Sequence, residues 1–290
     1  MDHPEDYVKR ILKVLIYIED HIEEEISIEE LAKVACHSPF HFHRIFHMVV
    51  GETVYKYVRR LRLEKAASKL RYTEHPITDI AMDTQYDTPS AFTRAFKQTI
   101  GHSPRNYRTL FKEVNAMNQK ISELPKILPD KIEKTQDLDL LFIRKLGEYS
   151  ESGPQAWESM HAFIGENHLD RTKLRYFGIT HDDPRVTTED KLRYDACILS
   201  TKNIQPKGSL GRQILKGGKY AIFTHNGSYD KIDETYDRIF FKWLPDSKEN
   251  VDETRPCFAE YFNIEFVCAT RRFINSRLKW RPVKGTTHLY

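Results

Sequence analysis

The sequence predicts an all-α domain holding two helix-turn-helix units, followed by an α+β domain of two similar halves. Three observations predict it. A helix-turn-helix pattern occurs twice, at offsets of 49 and 50 residues. A polar, proline-bearing stretch follows Leu110. From Leu138 onward the apolar residues alternate with the period of strands. At 290 residues, 40% hydrophobic and 30% charged, the chain is large enough to bury two cores.

The first element is an amphipathic helix over Tyr7–Glu24, with Ile11, Val14, Leu15, Ile18 and Ile22 at three- and four-residue steps. Ser27 with Glu30 forms a capping box, opening a helix that carries Ile28, Leu31, Ala32 and Ala35 on one face. Ser38-Pro39 restarts a helix, with Ser as N-cap and Pro where its missing N–H costs nothing. That helix buries Phe42, Ile45 and Phe46, and Gly51 closes the unit.

The same grammar then returns. Ile77, Ile80 and Ala81 match Ile28, Leu31 and Ala32, while Thr88-Pro89, Phe92, Arg94 and Phe96 match Ser38-Pro39, Phe42, Arg44 and Phe46. The one-residue difference falls in the turn, where insertions are best tolerated. Between the repeats, Thr53–Leu70 reads as one helix of about 27 Å, a rigid spacer between the two units.

The stretch 112–136 reads as a linker, with an all-α domain over 1–111 before it and an α+β domain over 137–290 after it. In that second domain LDLLFIRK, RYFGITH, YDACILST, KYAIFTHNG and CFAEYFNIEFV read as strands. Helices are expected at Gln155–Asn167 and Asp230–Leu244. The order strand–helix–strands, then strand–helix–strand, is the basis for expecting two halves.

The net charge of +3 is uninformative, but its distribution is not: Arg44–Lys112 holds 13 Lys or Arg against 6 Asp or Glu. Such a surplus suits a polyanion, although solvated helix faces carry similar charge. No apolar run of about eighteen residues exists and no basic-then-apolar leader is visible, so a cytoplasmic protein without membrane contact is expected. Cys36, Cys197, Cys257 and Cys268 form no CxxC and read as thiols in a reducing compartment. His37, His41, His43 and His47 include pairs spaced by four, but a third ligand is missing and no metal is expected. No GxSxG, HExxH, P-loop or GxGxxG occurs in context, so neither an enzyme nor a cofactor is expected.

On SIEELAKVACHSPFHFHRIF, YVRRLRLEKAASKL and DTPSAFTRAFKQTIGHSPRNYR, residues 8–110 resemble the DNA-binding domain of the AraC/XylS family of transcription regulators. On RYFGITHDDP, RYDACI and GGKYAIFTHNGSYDKIDETYDRIFFKWLP, residues 137–265 resemble a GyrI-like effector-binding domain, the pairing found in the right-origin-binding type. Three departures stand out. Gln85 occupies a turn position where the family often has glycine. Ala259 follows Phe258 where the pattern has glutamate, and Glu260, one residue on, should face the other side of its strand. Beyond Val267 the sequence is basic, and no closing strand is expected there.

The reading that follows is a sequence-specific regulator, an activator by resemblance, with effector control. Its expected partners are double-stranded DNA, RNA polymerase and an unidentified small molecule. A single chain carries both units, so monomer and dimer both fit. The alternative is a ligand-sequestering or partner-binding protein with a vestigial DNA module.

In the first unit Phe40, His41, His43 and Arg44 lie between the buried positions. Arg44 suits guanine O6 and N7, or alternatively a phosphate or a surface salt bridge, and Phe40 suits a thymine methyl. The resemblance separately implies base contacts at Phe40, His43 and Arg44. In the second unit Pro89, Ser90, Thr93, Arg94 and Lys97 are the candidates, with Pro89 unable to hydrogen-bond and the balance shifted toward phosphates. For the ligand, a site lined by Trp157, Tyr176, Tyr194, Phe223, Tyr229, Tyr236 and Tyr261 is expected, with Glu260 or Asp195 supplying charge. Plain core packing is the competing role for each aromatic.

Overall fold

The computed structural model describes residues 4–117, 123–200, 204, 206, 208–228, 231–247, 249, 252, 255–262 and 273–280. The chain divides into two compact units. One comprises Met1–Phe111, Asp182–Thr188 and Thr201–Gln213; the other comprises Lys112–His181, Glu189–Ser200 and Ile214–Tyr290.

In the first unit α1 (Pro4–Asp20) buries Ile11, Val14 and Ile18. It ends at Asp20, earlier than its periodicity suggests, although Ile22 beyond it is still buried. Next, α2 (Ile28–Val34) starts at Ser27, whose hydroxyl accepts from the Glu30 amide at 3.2 Å. The reciprocal half of the expected capping box does not form: the Glu30 carboxylate accepts from the Tyr17 hydroxyl instead. Helix α3 (Pro39–Val50) is capped by Ser38 and closed by Gly51 at φ 80°, a left-handed conformation that glycine adopts without a Cβ clash.

Helix α4 (Val54–Tyr72) serves two cores in succession. Val54, Tyr57 and Leu61 join the cluster of α1–α3, whereas Leu63, Ala66, Ala67 and Leu70 join a separate cluster with Ile80, Phe92 and Phe96. Helices α5 (Ile77–Met82) and α6 (Pro89–Ile100) repeat α2 and α3, including the Thr88 cap and a left-handed Gly101 at φ 90°. Finally α7 (Pro104–Met117) packs Tyr107 edge-on against Phe96 at 5.6 Å.

The strands form one eight-stranded sheet, which belongs to the second unit except for the first four residues of β5: β1 (Lys131–Thr135), β2 (Leu138–Leu146), β3 (Tyr176–Thr180), β4 (Arg193–Leu199), β5 (Leu210–Leu215), β6 (Gly218–Ser228), β7 (Cys257–Tyr261) and β8 (Phe273–Trp280). Their order is β1-β6-β8-β7-β3-β4-β2-β5. Helix α8 (Tyr149–Glu166) follows β2. Helix α9 (Ile232–Arg238) follows β6 and continues through a π turn (Ile239–Trp243) and a short α turn (Leu244–Ser247).

The expected halves are visible in that order. β2–α8–β3–β4 and β6–α9–β7–β8 each place their last strand between the other two, and they meet at β3–β7. The edge strands are exchanged: β1, which precedes β2, pairs with β6, and β5, which precedes β6, lies beside β2.

Three expectations need correction. The presumed linker 112–136 contains the end of α7 and strand β1. The basic stretch after Val267 does supply a closing strand, β8, inserted between β6 and β7. The strand read over Cys257–Val267 is β7 as far as Tyr261; from 263 to 267 it lies outside the described residues. Short β5 was not expected at all. Among the described residues no helix is long and apolar enough to cross a membrane.

Candidate nucleic-acid and effector sites

The two helices α3 and α6 share one construction. Each begins at a hydroxyl cap followed by proline, with Ser38 accepting from the His41 amide and Thr88 from the Ala91 amide. Each buries two phenylalanines four residues apart, Phe42 with Phe46 and Phe92 with Phe96. That inward face leaves every candidate reading residue outside: Phe40, His41, His43 and Arg44 on α3, and Pro89, Ser90, Thr93, Arg94 and Lys97 on α6 are all exposed. Phe40 is 75% exposed, far more than an aromatic ring without a partner normally is, and the Arg44 guanidinium sits 6.0 Å from its ring centroid. His41 stands edge-on to His37 at 4.9 Å.

Preceding each of these helices is a non-glycine residue in the left-handed region, Cys36 at φ 54° and Gln85 at φ 58°. Both turns thus pass through a left-handed residue that is not glycine, although the connection from Ala81 to Thr88 is one residue longer than that from Ala32 to Ser38. Strain is accepted in both turns.

The basic surplus divides into two groups. Arg60 pairs with Glu52 at 2.7 Å and Glu64 at 3.1 Å. Arg59 donates to Gln98, Arg62 to the Ile22 and Glu24 carbonyls, and Arg108 to the Leu70 and His75 carbonyls. Lys69 bridges Glu23 and Asp83, and Arg71 lies 4.2 Å from the Phe111 ring centroid. These cations hold the fold. Arg44 on α3 and Arg94 and Lys97 on α6 are exposed.

In the second unit the sheet separates the expected ligand residues. Trp157 of α8 meets Tyr176, Tyr194 and Tyr261 of the sheet, all 7% exposed or less. Trp157 Nε1 donates to Tyr194 Oη at 2.9 Å, and Tyr194 Oη lies 3.2 Å from Tyr261 Oη. Gly178 leaves room for them: a Cβ there would stand 2.4 Å from Tyr194 Oη. In this structure the four side chains are buried and bonded to one another. Phe223 belongs elsewhere, packed against Trp243 at 5.0 Å, and Tyr236 stacks on Phe240. Tyr229 lies outside the described residues.

Glu260 is on the opposite strand face. Register pairs it with Phe177, and its carboxylate accepts from Arg175 at 2.8 Å. That face also carries Phe142, Phe177, Tyr220 and Phe258, together with Asp195. Asp195 is completely buried, bonded by Arg144 at 2.7 and 2.9 Å and by His181 Nε2 at 2.7 Å. Burial alone would raise its pKa, but Arg144 and His181 outweigh that effect and hold the carboxyl below the ordinary range. Both candidate acids thus already have cationic neighbours. The sequence reading missed Arg144, Arg175 and His181; period-two alternation with Asp195 and Glu260 was the signal available.

Comparison with known proteins agrees with this division. Residues 31–109 match the model of a helix-turn-helix domain, and residues 131–268 match that of a GyrI-like small molecule binding domain. The chain is 42% identical over 114 residues to YbfP, an HTH-type transcriptional regulator of Bacillus subtilis, a match that spans 39% of each chain. It is 28% identical over 232 residues to the transcriptional regulator Rob of Salmonella typhimurium, covering 75% of this chain and 78% of that one. It is 38% identical over 101 residues to the regulatory protein SoxS of the same organism, covering 34% of this chain and 94% of SoxS.

Proposed function

This chain belongs to the AraC/XylS family of transcription regulators, and we propose that it reads a bipartite DNA site with α3 and α6 and activates transcription by RNA polymerase under small-molecule control. It acts in the cytoplasm and not as an enzyme. The observation that carries the DNA reading is that both helices pair a hydroxyl cap and two buried phenylalanines with an outer face on which every candidate contact residue is exposed.

A recognition helix presents its early residues to base edges in the major groove. Arg44 offers a bidentate donor pair to guanine, Phe40 an apolar face to a thymine methyl, and His41 and His43 hydrogen-bonding rings. The second helix reads less, because Pro89 has no donor. Ser90 and Thr93 supply its polar contacts, while Arg94 and Lys97 bind phosphate. One chain suffices for both half-sites, and a dimer is not required.

For the effector, the buried cluster of Trp157, Tyr176, Tyr194 and Tyr261 supports a structural role for those residues. On the other strand face the Arg175 side chain, paired with Glu260, is 45% exposed and is the accessible charged group that supports ligand contact there. Selection of bound duplexes from random DNA tests the reading. A single enriched bipartite sequence is expected; failure to enrich any sequence favours the sequestering protein with a vestigial DNA module.

A further inference from the structure

We propose that Gln85 is a positioning residue for DNA reading, the keystone of a polar brace that fixes α6 relative to α3 and so sets which half-site spacing the chain accepts. The inference deepens the two-helix reading above and rests on it.

The two reading units do not share an apolar core. The cluster around α1–α3 and the cluster around α5–α6 are separate, joined through the single helix α4. A lone helix transmits orientation imperfectly, since long helices bend. Something else must hold the units in register, and the loop after α1 provides it.

Three consecutive residues of that loop are held from the other side. The Ile22 and Glu24 carbonyls both accept from Arg62 of α4. The Glu23 carboxylate accepts from Lys69 Nζ at 2.9 Å, and the same ammonium reaches Asp83 of the second turn at 2.7 Å. The Glu23 carbonyl accepts from Gln85 Nε2 at 2.7 Å. Gln85 therefore links the turn of the second unit directly to the loop of the first, across 62 residues of sequence.

The backbone at Gln85 makes this specific. At φ 58° glycine would be favoured on conformational grounds alone, so a longer side chain there is unfavourable locally. The hydrogen bond to Glu23 is what the side chain contributes in return. Cys36, at the matching turn of the first unit, is also left-handed, but there the link is made by its carbonyl accepting from Arg10.

Two arms test the proposal. In the first, spin labels carried by unnatural amino acids at exposed Met48 and Thr99 report the distance between α3 and α6 without DNA. The wild-type distribution should be narrow and that of Gln85→Gly clearly broader. Gln85→Arg, which restores a long donor, should narrow it again. Because glycine suits this backbone, Gln85→Gly should unfold at no lower temperature than the wild type, which separates positioning from stability. A Gln85→Gly distribution superimposable on the wild type overturns the brace.

In the second arm, the duplex selected by the wild-type chain is lengthened or shortened by one base pair between half-sites, turning one by about 34°. The wild type should lose about tenfold in affinity on the altered duplexes, as expected when both readers can no longer engage together. Gln85→Gly should bind the unaltered duplex more weakly and lose no more than about twofold on alteration. An unchanged spacing penalty contradicts the proposal. A wild-type chain that selects no duplex overturns the two-helix reading instead, while the distance arm still decides on the brace.

Discussion

Arg144 holds Asp195 with two arms of its guanidinium, Nε at 2.7 Å from Oδ1 and Nη2 at 2.9 Å from Oδ2, and the carboxylate has no exposure at all. Removing one partner strands a buried charge, so Arg144→Met should destabilise the sheet unit by about 3–5 kcal/mol. Adding Asp195→Leu to make an apolar pair should recover most of the loss. All three tryptophans, Trp157, Trp243 and Trp280, lie in this unit, so urea unfolding followed by tryptophan fluorescence measures it directly. Equal stability of Arg144→Met and wild type would contradict this account.

Asp195 also sets a pH dependence. Its folded pKa is depressed, so its contribution is fully present above the unfolded value of about 3.9 and is lost as pH falls toward the folded value. Unfolding free energy should therefore drop with acidification below about pH 4, and Asp195→Asn should make that slope shallower. The measurement is the same fluorescence titration repeated from neutral to acid pH. Identical slopes for the two proteins count against the ion pair.

The aromatic cluster where α8 meets the sheet should behave as core. Tyr194→Phe removes the acceptor of the buried Trp157 N–H and should cost about 1–3 kcal/mol. Gly178→Ala drives a methyl into Tyr194 and Tyr261 and should cost at least about as much. Neither change should alter the fold-discrimination between selected and random DNA. If Tyr194→Phe left stability untouched yet changed effector affinity, the cluster would be a ligand site after all.

Because six basic residues of the α4–α7 region serve the fold, the salt dependence of DNA binding should be moderate. About four to six phosphate contacts give a slope of log K against log salt of roughly −4 to −5. Arg94→Ala should weaken all sequences alike and reduce the slope by about 1, whereas Arg44→Ala should cost about 1–3 kcal/mol on the selected site and relax one base position. Equal losses for Arg44→Ala on selected and random DNA would reassign it to a phosphate.

Much of the helical unit was legible from particular residues. Ser38-Pro39 and Thr88-Pro89 announce helix starts, Gly51 and Gly101 announce ends, and the phenylalanine spacing identifies the buried face. Charge counting was less informative, because it does not distinguish Arg60, gripped by Glu52 and Glu64, from Arg44 in solvent. In the sheet unit, alternation correctly separated Glu260 from its neighbours but did not reveal which face carries α8 and α9. Trp157 and Tyr194 read as cleft lining from the sequence, and the structure places both among the buried residues. Strand β8 does carry a period-two signal, Ile274, Leu278 and Trp280 alternating with Asn275, Arg277 and Lys279, but the basic composition of the stretch around it argued against a closing strand. Non-local pairing of this kind, with β8 inserted between β6 and β7, leaves no local trace in the sequence.

Hydroxyl-radical footprinting of the selected duplex, with wild type, Arg44→Ala and Arg94→Ala run side by side, decides whether both helices engage at once. Two protected segments about 10 base pairs apart are expected for the wild type, with each alanine variant weakening its own segment first. One protected segment only, or two that fade together in both variants, would show that the second unit is not a reader.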